Sequence, residues 1–425
     1  MLNQRQRIAV IGSGISGLAS AYFLNRGHEV TLFEAGNYLG GHTHTVDVTL
    51  DGVTHPADTG FLVFNQHTYP NLIALFAELA VSSHATDMSF GVSMDQGHLE
   101  WAGTNLDTVF AQRRNMLSPR FLGMLRDILR FNAAAAQNLS DSLVSGMTLG
   151  QLLDAGRYGE TFRHAYLLPM AAAIWSSSPR DILAFPASTF LRFCINHALL
   201  QVNNRPQWQT VQMGAREYVK KIAATLPDIR LNTPVVSVDR QAGQVRVRTA
   251  TTTELFDAVV MATHAPDTLQ MLGDASAAEA AVLGAVKYQP NLAVLHTDSQ
   301  QLPKRRKVWS AWNYLGGAEV AGERPVCVSY LLNQLQQLPF AQPVVVTLNP
   351  FTPPDPARVI ARFEYAHPVF DQAAIDAQQQ LPTIQGKHGI WFAGAWTGYG
   401  FHEDGLKSAL RVVADFGMAP EWARV

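Results

Sequence analysis

The 425-residue chain carries 32 lysines and arginines against 34 acidic residues, a formal net charge of −2. No overall field is present to recruit nucleic acid. With 47% hydrophobic and 16% charged residues it has the composition of a folded enzyme, which excludes global disorder, and its length predicts two domains.

The N-terminus runs straight into a strand without the apolar stretch and small-residue cleavage site of a signal peptide, so a cytoplasmic protein is expected. Arg7 to Ile11 reads as a short strand, Ile15 to Arg26 has helical spacing, Gly27 stops it, and Glu29 to Phe33 reads as a second strand. From Tyr69 to Gln207 the pattern is mainly helical, with apolar stretches at Phe121 to Leu139, Ala165 to Trp175 and Phe190 to Leu200. Tyr166 to Trp175 is the most apolar stretch, yet it is far shorter than the roughly 20 residues of a membrane-spanning helix and contains Pro169. Strand patterns return at 229–231, 235–238, 245–248 and 258–262, and again near 292–297, 326–330 and 344–348 among many prolines. Gly389 to Phe416 reads as a buried strand, a glycine-rich turn and a helix. The expected division is therefore a discontinuous nucleotide-binding domain, 1–68, 208–265 and 386–425, with a second domain inserted as 69–207 and 266–385.

The two cysteines, Cys194 and Cys327, have no Cys or His neighbour at metal-ligand spacing and read as core thiols, so no metal site is expected. Gly12-Ser13-Gly14-Ile15-Ser16-Gly17 is a GxGxxG placed between a strand and a helix. Its glycines serve the tight turn, the close approach of a pyrophosphate and the packing of helix on strand, while the helix N-terminus offers amides to phosphate. Glu34, at the end of the second strand, is positioned for the ribose hydroxyls of an adenosine. The motif alone fits FAD and NAD equally.

After Glu34 the chain continues Ala35-Gly-Asn-Tyr-Leu-Gly-Gly-His-Thr43, and here it resembles the flavin-containing amine oxidase superfamily, whose acidic residue leads into a Gly-Gly-Arg-Thr-type loop. The resemblance implies a Rossmann-like α/β FAD-binding domain with an inserted α+β substrate domain. It also implies that Gly40, Gly41, His42 and Thr43 follow the pyrophosphate, and that Asp58-Thr59-Gly60-Phe61 runs beside the flavin. Tyr38 and His42 stand where that superfamily carries arginines. Val235 resembles the valine whose backbone meets adenine, and Ala258 to His264 resembles the strand that ends in Ala262-Thr263. Ile390-Trp-Phe-Ala-Gly-Ala-Trp-Thr-Gly-Tyr-Gly-Phe-His-Glu-Asp-Gly405 is similar to the terminal flavin segment. That likeness places Gly394 and Ala395 at the ribityl chain and the Glu403 amide at N1 and O2 of the flavin. Ala395 replaces a frequent acidic residue, and His402 falls where amine oxidases carry a cage tyrosine. The resemblance does not place Lys287 as the superfamily's lysine at N5.

Further matches at His296 to Asp298, Trp312 to Tyr314 and Gly400 to Gly405 make the whole chain similar to a bacterial flavoprotein group and to the N-terminal part of plant cyclopropane fatty-acid synthases. They imply a flavin enzyme that acts near long acyl chains, with a lipid-modifying methyltransferase as a candidate partner. The expectation is an FAD-dependent oxidoreductase, its FAD held non-covalently, that takes a hydride from an apolar substrate such as a fatty-acyl chain, with His402 near the flavin as a proton relay. The alternatives are an amine oxidase producing hydrogen peroxide, an NAD-dependent dehydrogenase, and a non-catalytic flavin-binding partner of the methyltransferase. Phe190, Phe193, Ile195 and Leu199 fit a core better than an acyl tunnel. Lys304-Arg-Arg-Lys307 reads as a solvated loop, with peripheral contact to anionic lipid headgroups as the functional alternative.

Overall fold

The computed structural model describes residues 5–175, 178–201, 205–317 and 326–424; residues 1–4, which the N-terminal reading used, lie outside them. Strand β1 (Arg7–Ile11) has Ile8, Ala9, Val10 and Ile11 all buried, so both of its faces are covered. That is the environment of a central parallel strand flanked by helices. It pairs in parallel with β2 (Glu29–Phe33) on one side and Ala258–Met261 on the other. Asp228–Arg230 extends the sheet beyond β2 and Ile390–Phe392 beyond Ala258–Met261, giving five parallel strands drawn from three separated stretches of chain.

Helix α1 (Ile15–Leu24) crosses from β1 to β2 and is buried along almost its whole length. It lies between the parallel sheet and the last helix, His402–Asp415. The two helices meet at Gly405, where a Cβ would stand 2.7 Å from Ile15 Cγ2 and 3.0 Å from Ser16 Oγ. Ser16 Oγ donates to the Gly405 carbonyl at 2.9 Å, and Ser408 Oγ accepts the Gly394 N–H at 2.9 Å. The two ends of the sequence are thus bonded together at the end of the sheet.

The inserted part carries a seven-stranded mixed sheet and a set of helices. Its longest strand, Val359–Val369, runs antiparallel to Lys287–His296. The stretch 69–207 is less purely helical than its pattern predicts: Ser83–Thr86, Phe90–Met94 and Leu99–Ala102 are strands. Phe90–Met94 pairs with Trp312–Gly316, a partner so distant in sequence that local periodicity carries no trace of it. The helical run expected over Phe121 to Leu139 breaks at Ala134 into Pro119–Ala133 and Ala135–Ser145. The stretch around Pro169 begins with a π turn, Arg163–Leu167, before continuing as Leu168–Trp175. Proline lacks the N–H and crowds the carbonyl four residues back, and the wider turn accommodates that conflict.

Gly405→Ala places a methyl group against Ile15 and Ser16, where neither helix can retreat without moving the sheet. The expected loss is about 1–3 kcal/mol of stability, read as a lower urea midpoint with an unchanged slope.

Candidate active site

The turn after β1 is built for close approach. Gly12 has φ +98°, and a Cβ there would lie 2.6 Å from the Ala262 carbonyl oxygen. A Cβ on Gly17 would collide with the Gly12 carbonyl, so that glycine holds α1 against the turn. Gly14 differs: a Cβ there meets nothing within 4 Å, because the residue faces open cavity. Gly14 is also the N-cap of α1, which has no side-chain cap, so the amides of its first turn are free to bind an anion. Glu34 accepts from Ser13 N at 2.9 Å and Gly36 N at 2.7 Å, which fixes its carboxylate beside the turn.

From this turn a cavity of about 1680 Å³ extends past the parallel sheet into the inserted part. Ordinary ligand sites occupy about 300–1,000 Å³, so the space accommodates a dinucleotide together with a second molecule. Gly12, Gly14, Ile15, Ser16, Glu34 and Ala35 line its near end. The walls then pass through Gly40, Gly41, His42, Thr59, Gly60 and Phe61, and include Val235, Thr263, Gly394, Ala395 and His402. Three expected contact residues do not line it. Gly17 lies behind the turn, Thr43 bonds to His402 and Tyr218, and Glu403 points elsewhere. The Glu403 carboxylate accepts from Asn71 N, Asn71 Nδ2 and Leu72 N at 2.7–3.1 Å, capping the helix Pro70–Glu78, which has no local side-chain cap.

His402 stacks on Phe61 with ring centroids 3.7 Å apart, and its Nε2 lies 2.8 Å from Thr43 Oγ1 and 3.1 Å from Tyr218 OH. Burial lowers its pKa to about 3. His42 is half-buried, with its Nε2 buried and lacking any partner, and desolvation followed by the neighbouring His367, His264 and His402 holds it well below the ordinary 6.5. Its ring centroid stands 5.3 Å from that of His367 and 5.1 Å from that of Tyr365. Among the described residues no group of histidines, cysteines or carboxylates is arranged to hold a metal ion. Lys287 sits at the surface, its Nζ 2.8 Å from Asp371, while the next residue, Tyr288, lines the cavity and stacks on His264.

Tyr365 and His367 were missed from sequence, although the alternation Phe363, Tyr365, His367 is the period-two signal of one strand face. The Tyr365 hydroxyl lies 2.7 Å from Thr59 Oγ1, tying that strand to the Asp58-Thr-Gly-Phe61 segment. The far part of the cavity is mainly apolar, with Asn132, Arg205 and Gln207 among the polar residues that also line the cavity. Leu125, Ile128 and Leu129 face it from one helix, and Tyr166, Met170 and Ile174 recur at four-residue spacing along another. Phe193 and Leu199 line it too, whereas Phe190 and Ile195 pack only in the core.

A glycine turn open to a ligand, uncapped amides, a carboxylate beside the turn and an unpartnered buried His42 Nε2 fit the phosphates and polar groups of a flavin dinucleotide. Fold and site together define a flavin-dependent oxidoreductase. The flavin-containing amine oxidoreductase family is matched over residues 15–415, and the chain belongs to it. Among solved structures it is similar to a fatty acid isomerase from P. acnes that produces CLA, at 14% identity and TM-score 0.68, covering 97% of this chain and 98% of that one. It is likewise similar to cyclohexylamine oxidase from Brevibacterium oxydans IH-35A, at 15% identity and TM-score 0.68, covering 97% and 100%. A putrescine oxidase with putrescine bound matches at 15% identity and TM-score 0.66, covering 97% and 99%. These likenesses show the fold.

Gly14→Val fills space that belongs to the ligand. Stability of the flavin-free protein should stay within about 1 kcal/mol of the parent, while flavin retained through gel filtration falls sharply. Equal losses of stability and flavin would contradict this placement.

The buried histidines also set the acid stability. His42, His367 (about 4) and His402 (about 3), with His197 and His296 (both about 4), lie below the ordinary 6.5 because burial penalises their charged form. Their contribution is full above pH 6.5 and is lost as pH falls towards those folded values. Asp58 and Asp404, raised from 3.8 to about 6 by burial, oppose them: their contribution is full below 3.8 and lost as pH rises through 6. With His28, His44, His84 and His264 also lowered and Glu403 also raised, nine histidines outweigh three carboxyls, at about 1.4 kcal/mol per pH unit for each net proton. Urea midpoints should therefore fall between about pH 6.5 and about pH 4.5, and a flat profile would contradict this balance.

Proposed function

We propose that this oxidoreductase binds FAD non-covalently and oxidises a fatty-acyl chain: one carbon gives a hydride to the flavin and its neighbour releases a proton to solvent, leaving a carbon–carbon double bond. The carrying observation is the apolar far end of the cavity, lined by Leu125, Ile128, Met170 and Ile174 and continuous with the dinucleotide turn. The acidic residues lining the cavity, among those described, are Glu34, Asp87 and Asp267. Glu34 is bonded at the turn, Asp87 bonds Ser89, and Asp267 faces His264, so each of these carboxylates already has a partner within the chain. That disfavours a diamine. When bound, the flavin supplies a hydride acceptor at N5.

The chain's own residues exclude water and set orientation. Tyr399 and Phe401 line the cavity beside Phe193, whose ring centroid is 5.0 Å from that of Phe401. His402 enters as a neutral ring that fixes Phe61, Thr43 and Tyr218; a group held near 3 is a weak base, so the relay expected from sequence is replaced by a positioning role. Non-covalent binding is supported by Cys194 and Cys327, both buried and neither lining the cavity. The lipid-modifying methyltransferase fits as a partner only through the chemistry of a shared acyl substrate.

The test is anaerobic mixing of oxidised enzyme with acyl lipids, and separately with mono- and polyamines, while flavin absorbance is followed. Bleaching by acyl lipids and release of FAD by acid precipitation are expected. Bleaching by amines alone would overturn the substrate, and colour remaining with the precipitate would overturn non-covalent binding.

A further inference from the structure

The mouth of the cavity is unusual in its surface. Leu106 is 77% exposed and Leu129 60% exposed, yet both also line the cavity, so apolar side chains form its rim on the outside of the molecule. On the same stretch of chain Leu117 is 87% exposed, and Met116 and Leu122 are exposed as well. On the helix Pro119–Ala133, Phe121, Met124 and Phe131 are buried, while Leu122 and Leu129 stand two turns apart on the outer side. Single exposed leucines need no explanation, but five exposed apolar side chains on one stretch of chain, two of them lining a cavity, do.

The charge around this rim is one-sided. Arg113, Arg114, Arg120, Arg126 and Arg130 lie on residues 105–130, and the basic run 304–307 joins them through Lys307, whose Nζ is 3.1 Å from Asp107. Asp107 and Asp127 are the acidic residues of these two stretches, in a chain whose net charge is −2. The basic run is held in place: the buried Glu100 carboxylate accepts from Lys304 N at 2.7 Å, Arg305 N at 3.2 Å and Arg305 Nη1 at 2.7 Å. Glu100 pairs with Arg305, Asp107 with Arg113 and Lys307, and Asp127 with Arg126 and Arg130, which leaves this face with more cations than carboxylates.

We propose that the face formed by residues 105–130 and 304–307 docks on an anionic phospholipid bilayer, with the cavity mouth opening into its acyl layer. Apolar side chains that enter the headgroup boundary, ringed by arginine and lysine, are the chemistry of an interfacial protein segment. A folded protein partner would be selected by shape, whereas the match here is of apolar rim to acyl layer and basic ring to anionic headgroups. Among the described residues no helix is long and apolar enough to cross a membrane, so docking of this kind is peripheral. The proposal extends the acyl-chain reading, but its binding test needs no turnover.

The experiment is co-sedimentation of the flavin-loaded protein with phosphatidylcholine vesicles and with vesicles containing phosphatidylglycerol. Binding to the anionic vesicles should be at least about tenfold tighter and should weaken as salt rises. Leu117→Glu with Leu122→Glu, and separately Lys304→Ala with Arg306→Ala and Lys307→Ala, should each reduce it about tenfold with melting temperature and flavin content unchanged. Leu117 has almost no packing to lose, so L117E alone guards against a folding artefact. Equal binding to both vesicle types, absence of binding, or binding that survives both variants overturns the proposal. If vesicles bind while acyl lipids fail to bleach the flavin, docking stands and the acyl reading falls.

Discussion

The contact on which the site depends is the close approach of α1 to the last helix at Gly405. It brings the glycine turn after β1 beside the Gly394-Ala395 segment, and Ser16 and Ser408 bond the two across the gap. A cofactor lying on this junction touches residues from both ends of the sequence. The family's chemistry therefore needs no single contiguous binding loop. Glu403 carries the same constraint outward, because its carboxylate caps the helix Pro70–Glu78 and so fixes that helix against the last one.

A second constraint is electrical. The wall around His42, His264, His367 and His402 holds imidazoles where burial keeps them uncharged. Arginines at Tyr38 and His42 would bring permanent charge to this region; histidines bring donors whose charge responds to what lies beside them. The unpartnered Nε2 of His42 is one polar atom open to such a contact. Further along, the cavity loses its polar character and becomes a channel of leucine, isoleucine, methionine and aromatic side chains. The polar head and the apolar tail thus belong to one continuous cavity.

The nucleotide half of this arrangement was legible in the sequence because its requirements are local. A Gly12 turn with positive φ, a Gly14 without neighbours and an acid after β2 each leave a mark within a few residues. The substrate half was less legible because its walls come from strands paired over long distances. Phe90–Met94 was hidden in a helical background, and Tyr365 and His367 belong to a strand whose partner begins at Lys287. The stripe around Phe193 shows a third case, since periodicity marks a residue as inward-facing without saying whether a core or a cavity lies inside; Phe193 and Leu199 face the cavity and Phe190 the core.

The most direct measurement of the central claim is the rate constant for flavin reduction, divided by the apparent binding constant, across acyl substrates of increasing chain length. Each methylene that enters the apolar channel contributes about 0.8 kcal/mol, or about fourfold, until the channel is full. The account predicts such a rise followed by a plateau, with the plateau reached at shorter chains in Ile174→Trp. A ratio independent of chain length, or one unaltered by that substitution, would contradict it.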